Sequence, residues 1–537
     1  MKKLNINPIE KEEGKTRRKT PSFVLELPLV VTPRQSKELL SRFESARQLY
    51  NATLGEAKRR AMLVKQSKLF QKAMSLPKKH KDRVETFDFA RSRYGFNDYS
   101  LQKFIGKLRH EMPNKLDSQT TEKLATRAFG AANRMLCGDA KKVRFKGYNQ
   151  LNSVESKSNS TGIMWRNDHV KWNKLILTSL IKVDDEVIQY GLKCRVKYCR
   201  IVRKIYKGKN LFYVQLVLEG KPFIKEKNRL GKGDVCFDVG PSTVGIVAKD
   251  DNDNFKARLV QFCSELKNRE KEIRNLQQKT DRQRRQNNPK NYLENGQTKR
   301  GKKTWKKSKR QIANENKLKE IYRVTAFHRN SLQGKLVNET LRMGNNFKTE
   351  KVSRKWLQKL YGKSVGSRAP GKFVSGMKRK AESAGGSFME FATQSTKLSQ
   401  TCVCGRQKKK KLSDRIHSCE CGVLAQRDLL SAFLGIFVEK AGSKNDKDED
   451  KYILYASQVE RLWPSADKLL QAAWMNAVES ANGKLLLSSF GKPPACWSQS
   501  GSLEEEGRVK FEVQNVVLAH PMGEESLKEN EIFPLAL

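Results

Sequence analysis

Two C-x-C-G turns constrain this chain more than any other feature: Cys402-Val-Cys404-Gly405 and Cys419-Glu-Cys421-Gly422, with fourteen residues between Cys404 and Cys419. Four thiolates on two tight turns can close a tetrahedron on Zn²⁺, and the glycine after each pair permits the positive φ that aims both sulfurs inward. The usual turn leaves two residues between its cysteines rather than one, and His417, in the loop between the turns, is the substitute ligand. Ten cysteines in 537 residues, four of them clustered, indicate a metal site in a reducing compartment rather than a disulfide framework. A structural Zn²⁺ at Cys402, Cys404, Cys419 and Cys421 would cross-link the chain just before Ala425-Gln-Arg-Asp428. Leu429, Leu430, Phe433, Leu434 and Phe437 then form an apolar helical stripe, so Asp428 falls in the first turn of a buried helix.

Two further carboxylates stand on strands. The apolar run Val235 to Val239 carries Asp238 near its end, Gly240 and Pro241 break the chain, and a second run from Val244 to Ala248 follows. A bare carboxylate in an apolar setting costs several kcal/mol unless it is paired, hydrated or metal-bound. The stretch 345–352 reads as a short strand bearing Glu350, with Glu390 on the strand 387–391 as the alternative. Converging acids would repel and raise one another's pKa. Two Mg²⁺ ions would relieve that repulsion and supply phosphodiester hydrolysis, for which Asp and Glu are the hard oxygen donors needed.

The charge points to the partner. Lys and Arg number 108 against 57 Asp and Glu, a net +51. Residues 441–537 hold 10 basic and 15 acidic side chains, so the first 440 carry 98 minus 42, or +56. Such a surface implies a polyanion. No run of about 18 apolar residues suggests a membrane span, and MKKLNINPIEKEEGK lacks a signal peptide's apolar core, so a cytoplasmic, nucleoid-associated protein is expected.

Taken in order, residues 1–21 read as a disordered basic N-terminus and Phe23 to Val31 as a strand. Thr32 and Pro33 then cap a helical region, 33–140, whose first helix presents Leu39, Leu40, Phe43, Ala46, Tyr50 and Leu54 on one face. Residues 141–228 turn to β-structure, with Lys207-Gly208-Lys209-Asn210 as a hairpin turn, so 22–32 and 141–228 form a β-barrel interrupted by the helices. Two long polar helices, about 263–287 and 308–342, flank a linker with eight cations in the twelve residues 299–310, around Trp305. Candidate nucleic-acid contacts are Tyr50, Asn51, Arg144, Lys146, Trp165 and Trp172, with Phe145 interleaved, and Lys302, Lys303, Lys306 and Lys307 in the linker. A helix is expected from Tyr455 to Val478 inside an acidic extension, 441–537, to which no role is assigned.

Three stretches resemble one known family, the TnpB-like nucleases of transposons and their descendants, the compact type V CRISPR effectors. They are FDVGPSTVGIV at 237–247, FKTEKVSRKWLQKLYGKSVGSRAPGKFV at 347–374, and TKLSQTCVCG with HSCECGVLAQRDLLSAF at 396–433. The resemblance implies a multidomain α+β chain. A wedge-like (OB) β-barrel with a helical recognition insertion would precede a RuvC-like nuclease domain of RNase H fold (229–395 and 423–440), with a zinc ribbon (396–422) inserted. It also implies a catalytic triad of Asp238, Glu350 and Asp428 holding Mg²⁺, a guide RNA, and double-stranded target DNA read by base pairing next to a short flanking motif. The protein would act in bacteria as a monomer or as a homodimer on one guide RNA. The rival readings are a guided DNA-binding protein that does not cut, a transposase that joins ends, and a zinc-ribbon RNA-binding protein without enzyme activity.

Overall fold

The computed structural model describes residues 20–77, 80–111, 116–411, 414–441, 452–480 and 490–494. The expected disordered N-terminus, apart from its last two residues, and most of 441–537 lie outside the described residues.

The N-terminal half is a nearly closed barrel. Its strands are β1 (Ser22–Val30), β2 (Ser153–Glu155), β3 (Ile163–Arg166), β4 (His169–Trp172), β5 (Leu175–Ser179), β6 (Val196–Tyr206) and β7 (Lys209–Glu219), in the order β2-β6-β7-β1-β5-β4-β3. Alternation sets the inward face: Leu25, Leu27 and Leu29 on β1, Cys199 and Ile201 on β6, and Phe212, Val214, Leu216 and Leu218 on β7 are buried in one core. β1 pairs with β7 as far as Pro28, and its last two residues pair with β5. Proline has no N–H for a ladder, so the strand changes partner there and the sheet turns its corner. Between β1 and β2 lie α1 (Pro33–Gln66), α2 (Lys68–Ser75), α3 (Lys81–Arg93), α4 (Asp98–His110) and α5 (Ser118–Leu136). The Thr32 hydroxyl accepts from Gln35 N–H and the Gln35 side chain accepts from Thr32 N–H, a complete capping box before Pro33. A short helix, α6 (Glu186–Lys193), precedes β6.

The C-terminal half is built on β8 (Asp234–Val239), β9 (Thr243–Lys249), β10 (Phe255–Gln261), β11 (Asn346–Glu350) and β12 (Ser387–Phe391), in the order β10-β9-β8-β11-β12. β10, β9 and β8 run antiparallel, while β11 runs parallel to β8 and β12 to β11. Helices cover both faces, so β8 is buried on both sides and reads as an unbroken apolar run. On one face Val235 and Phe237 pack against α8 (Lys309–Leu341) and α11 (Pro370–Ser383). On the other, Cys236 and Val247 pack against α13 (Arg427–Ile436) and α14 (Ala456–Glu479). Before α8 comes α7 (Glu270–Asn287); it begins seven residues later than the sequence suggests, after Cys263 takes φ 53° and breaks the helical path. Following β11, α9 (Arg354–Leu360) and α10 (Gly362–Arg368) lead to Ala369, whose φ of 52° ends one helix and lets Pro370 start the next; α12 (Thr393–Thr396) follows β12.

The hairpin β13 (Ile416–Ser418) and β14 (Leu424–Gln426) carries the second cysteine turn into α13. Beyond α13, β15 (Val438–Lys440) pairs with β16 (Tyr452–Leu454), and the Tyr452 ring sits against Phe391 at the end of β12. The expected helix in the acidic extension is α14, and it belongs to the core of the C-terminal half. Val459, Leu462, Ala466, Leu470 and Trp474 are buried with α13 and β10, and the Trp474 indole donates to the Gly491 carbonyl. Among the described residues no helix is long and apolar enough to cross a membrane.

Candidate functional site

The three carboxylates come together at one end of the central strands. Asp238 sits on the α13 face of β8, in step with Cys236 and opposite to Phe237. Parallel register matches Thr349 with Phe237 and Thr349 with Glu390, so the next residue, Glu350, shares the face of Asp238. Glu390 lies on the other face, with its carboxylate 3.7 Å from Lys378 Nζ, and does not join the group.

Asp428 arrives from α13. Gly245 pairs with Asp238 across β8 and β9, and a Cβ on Gly245 would stand 2.5 Å from the Asp428 carbonyl oxygen. Only glycine there lets the first turn of α13 rest on β9 over Asp238. The helix is held at both ends. Gln426 caps its start by accepting from Leu429 N–H, and Lys348 Nζ donates to the Ile436 carbonyl at 2.6 Å at its finish.

The electrostatics follow from this crowding. Asp238 keeps part of its surface accessible, yet protein packs densely around it. Burial first, then the neighbouring Asp428 and Glu350 carboxylates, hold its carboxyl well above the usual range, against the pull of Arg427 and Arg415. Burial pushes Glu350 up to about 7, and its Oε1 is buried with no hydrogen-bond partner. Asp428, 2% exposed, is compensated: Arg427 Nη2 lies 3.1 Å and Arg415 Nη1 3.8 Å from its oxygens, and the Thr243 hydroxyl donates at 3.2 Å. Hard oxygen donors, an orphaned carboxylate oxygen on Glu350 and an Asp238 carboxyl raised by burial and its two acidic neighbours are what a divalent cation would relieve, so these residues fit Mg²⁺.

The raised Glu350 makes a prediction. Its folded pKa of about 7 lies above its ordinary 4.5, so in metal-free protein the folded state holds the proton longer than the unfolded one. Stability should therefore fall as pH rises between those two values, by about 3 kcal/mol when complete. Glu350→Gln should match the wild type near pH 4.5 and exceed it above pH 7, by urea titration in EDTA. A variant equally or less stable at both pH values would contradict the burial of a strained carboxyl.

The four cysteines meet the metal geometry closely. Their sulfurs all lie within 4.8 Å of one another, with Cys402 to Cys421 at 3.6 Å and Cys404 to Cys419 at 3.8 Å. The edge of a ZnS₄ tetrahedron with 2.3 Å bonds is about 3.8 Å, whereas a disulfide needs about 2.05 Å. Gly405 and Gly422 take φ of 77° and 88°, the turns expected after each pair. The backbone N–H of Cys421 draws the Cys419 thiol down to about 7, while burial holds Cys402 up. His417 does not join the four sulfurs; its Nδ1 faces Lys410 Nζ, and burial, then that ammonium, lowers its pKa to about 4. Among the described residues, only these four thiols are drawn so close together.

Several proposed nucleic-acid contacts need correction. Trp172 is fully buried, with its indole donating to Asp117 at 2.9 Å and the Arg42 guanidinium over its ring, so it cannot stack on a base. Tyr50 is likewise core, at 6% exposure. Asn51 spends its amide on the backbone of Lys146, accepting from its N–H and donating to its carbonyl, both at 2.8 Å. Trp165 is half-buried against the barrel core. Arg144, Lys302 and Lys306 are exposed and Lys303 partly so, while Lys307 is paired to Glu315 at 2.6 Å. Sequence reasoning overlooked Arg415, Arg427 and Thr243; the signal for the first two was their place on either side of the second cysteine turn.

No protein-family model matches this chain, and no curated protein resembles it significantly in sequence. A solved Cas12f1–sgRNA–target DNA complex is similar at 12% identity over 78% of this chain and 98% of that one, with a TM-score of 0.39. A CRISPR–Cas12f ternary complex is similar at 12% identity over 74% and 81% of the two chains, with a TM-score of 0.24.

Proposed function

We propose that this protein is an RNA-guided DNA endonuclease that hydrolyses phosphodiester bonds with Asp238, Glu350 and Asp428 as Mg²⁺ ligands. The observation that carries the reading is the convergence of those three carboxylates from segments more than 70 residues apart, each inside a stretch that resembles the TnpB-like family. The strand order, three antiparallel strands followed by two parallel ones, supports the RNase H fold that the resemblance implies. When bound, Mg²⁺ would activate a water and stabilise the leaving oxygen of an in-line displacement. The chain's own part is positional: Gly245 admits α13, Arg415 and Arg427 orient the Asp428 carboxylate, and the four thiols would hold a structural Zn²⁺ just ahead of it. An excess of +56 in the first 440 residues suits guide RNA and target DNA as partners.

A second reading has one observation in its favour. Arg415 and Arg427 already neutralise Asp428, and guanidiniums that stayed there would leave a guided protein that binds without cutting. Sequencing the RNA that co-purifies and incubating the complex with guide-matched plasmid, in Mg²⁺ or EDTA, separates the readings. Mg²⁺-dependent cuts at guide-matched sites support the nuclease, and a discrete RNA without cuts supports the binder. Joined ends would support a transposase.

A further inference from the structure

The loop after α5, residues 141–150, is Lys-Lys-Val-Arg-Phe-Lys-Gly-Tyr-Asn-Gln, with four cations and no acid. Its two aromatic rings face outward: Phe145 is 52% and Tyr148 74% exposed. A loop that shows its rings to water would ordinarily be loose, because nothing offsets the entropy of ordering it. This one is fastened to the protein at three points. Asn51 brackets the Lys146 peptide, and Arg47, itself gripped by Glu44, donates to the same carbonyl at 2.9 Å. Arg203, buried on β6, donates to the Asn149 carbonyl and to the Asn149 and Asn152 side chains. Gln150 closes the turn by accepting from Gly147 N–H. None of the ion pairs among the described residues uses Lys141, Lys142 or Arg144.

We propose that this loop is a nucleobase-stacking platform: Tyr148 and Phe145 receive unstacked bases, while Lys141, Lys142 and Arg144 meet the flanking phosphates. Polar anchors spent on an exposed loop, Arg203 among them buried, make sense when its rings must stand in a fixed place before a ligand arrives. Four unopposed cations select a polyanion over a protein surface. A ring can stack only on a base face that is open, so the ligand is a single strand or an unpaired nucleotide rather than the interior of a duplex. Phe145 is anchored on one side, with Lys58 Nζ 4.9 Å from its ring centre and its edge near Gly55, which leaves Tyr148 as the freer of the two.

The proposal rests on the proposed function only for the presence of nucleic acid, and its test in EDTA is independent of cleavage. Full-length protein is titrated against three fluorescent probes: oligo(U) RNA, oligo(dT) DNA and a short DNA duplex. Tyr148→Ala should weaken at least one single-strand probe roughly 5- to 100-fold while leaving duplex binding and the salt slope unchanged, because it removes a stack and no phosphate contact. Tyr148→Phe should bind as the wild type does. Loss on the RNA probe alone assigns the platform to RNA, loss on the DNA probe alone assigns it to DNA, and loss on both to either strand. Wild-type affinity of both Tyr148→Ala and Phe145→Ala for both single strands would overturn the proposal, as would an equal loss on the duplex.

Discussion

Asp238→Ala is expected to abolish Mg²⁺-dependent DNA cleavage, by about 1,000-fold or more, while guide RNA and target DNA bind as before. The size follows from the place of the side chain. It lies on β8, which is hydrogen-bonded to the strand of Glu350 and packs against the helix of Asp428, so its loss would remove one of the three carboxylates able to hold an ion there. Several kcal/mol of transition-state stabilisation then go, and about 4 kcal/mol is a factor of 1,000. The fold should survive, because the residue removed is a carboxyl that burial and two like charges hold away from its preferred ionised state. Asp238→Asn, of the same shape, should behave alike. Cleavage and binding lost in equal measure would mean that the site is architectural.

Cys419→Ser is expected to act through the fold. One thiolate of four is lost, bound zinc should drop from one equivalent towards none by elemental analysis, and the segment from 396 to 428 should lose its cross-link. Zinc binding by small structural sites contributes of order 10 kcal/mol, far more than the short strands β13 and β14 can supply. The start of α13 would then be free to shift, taking Asp428 and Arg427 with it. Cleavage should fall together with amide protection in α13, and treatment of the wild type with a strong zinc chelator should reproduce both losses. A variant that folded and cut normally would remove the zinc from the account.

What could be read in advance was what neighbouring residues dictate. Asp238 announced itself as a charge at the end of an apolar run followed by Gly-Pro, and Asp428 as an acid opening an apolar helix behind a cysteine turn. The capping box at Thr32, the glycine turns of the ribbon and the barrel alternation are local in the same sense. What could not be read were contacts between distant segments. Thr243 meets Asp428 across 185 positions, and Asn51 meets Lys146 across 95. Trp172 misled for a related reason: rings interleaved with cations look the same in a barrel core and on a nucleic-acid surface until the sheet closes. Lys378 and Glu390 show the limit again, since which face a strand residue takes depends on a register that composition does not state.

The packing of α14 has a consequence for how the protein is made. Chains emerge from the ribosome N-terminus first, and domains fold as their last packing partners appear. The barrel and its helices have all their core residues by about position 218, so the N-terminal half can mature early. The half bearing the three carboxylates closes its core only when Trp474 and Phe490 are in hand. A growing chain thus completes its barrel half well before the half bearing Asp238, Glu350 and Asp428, and translation order itself delays the convergence of those carboxylates.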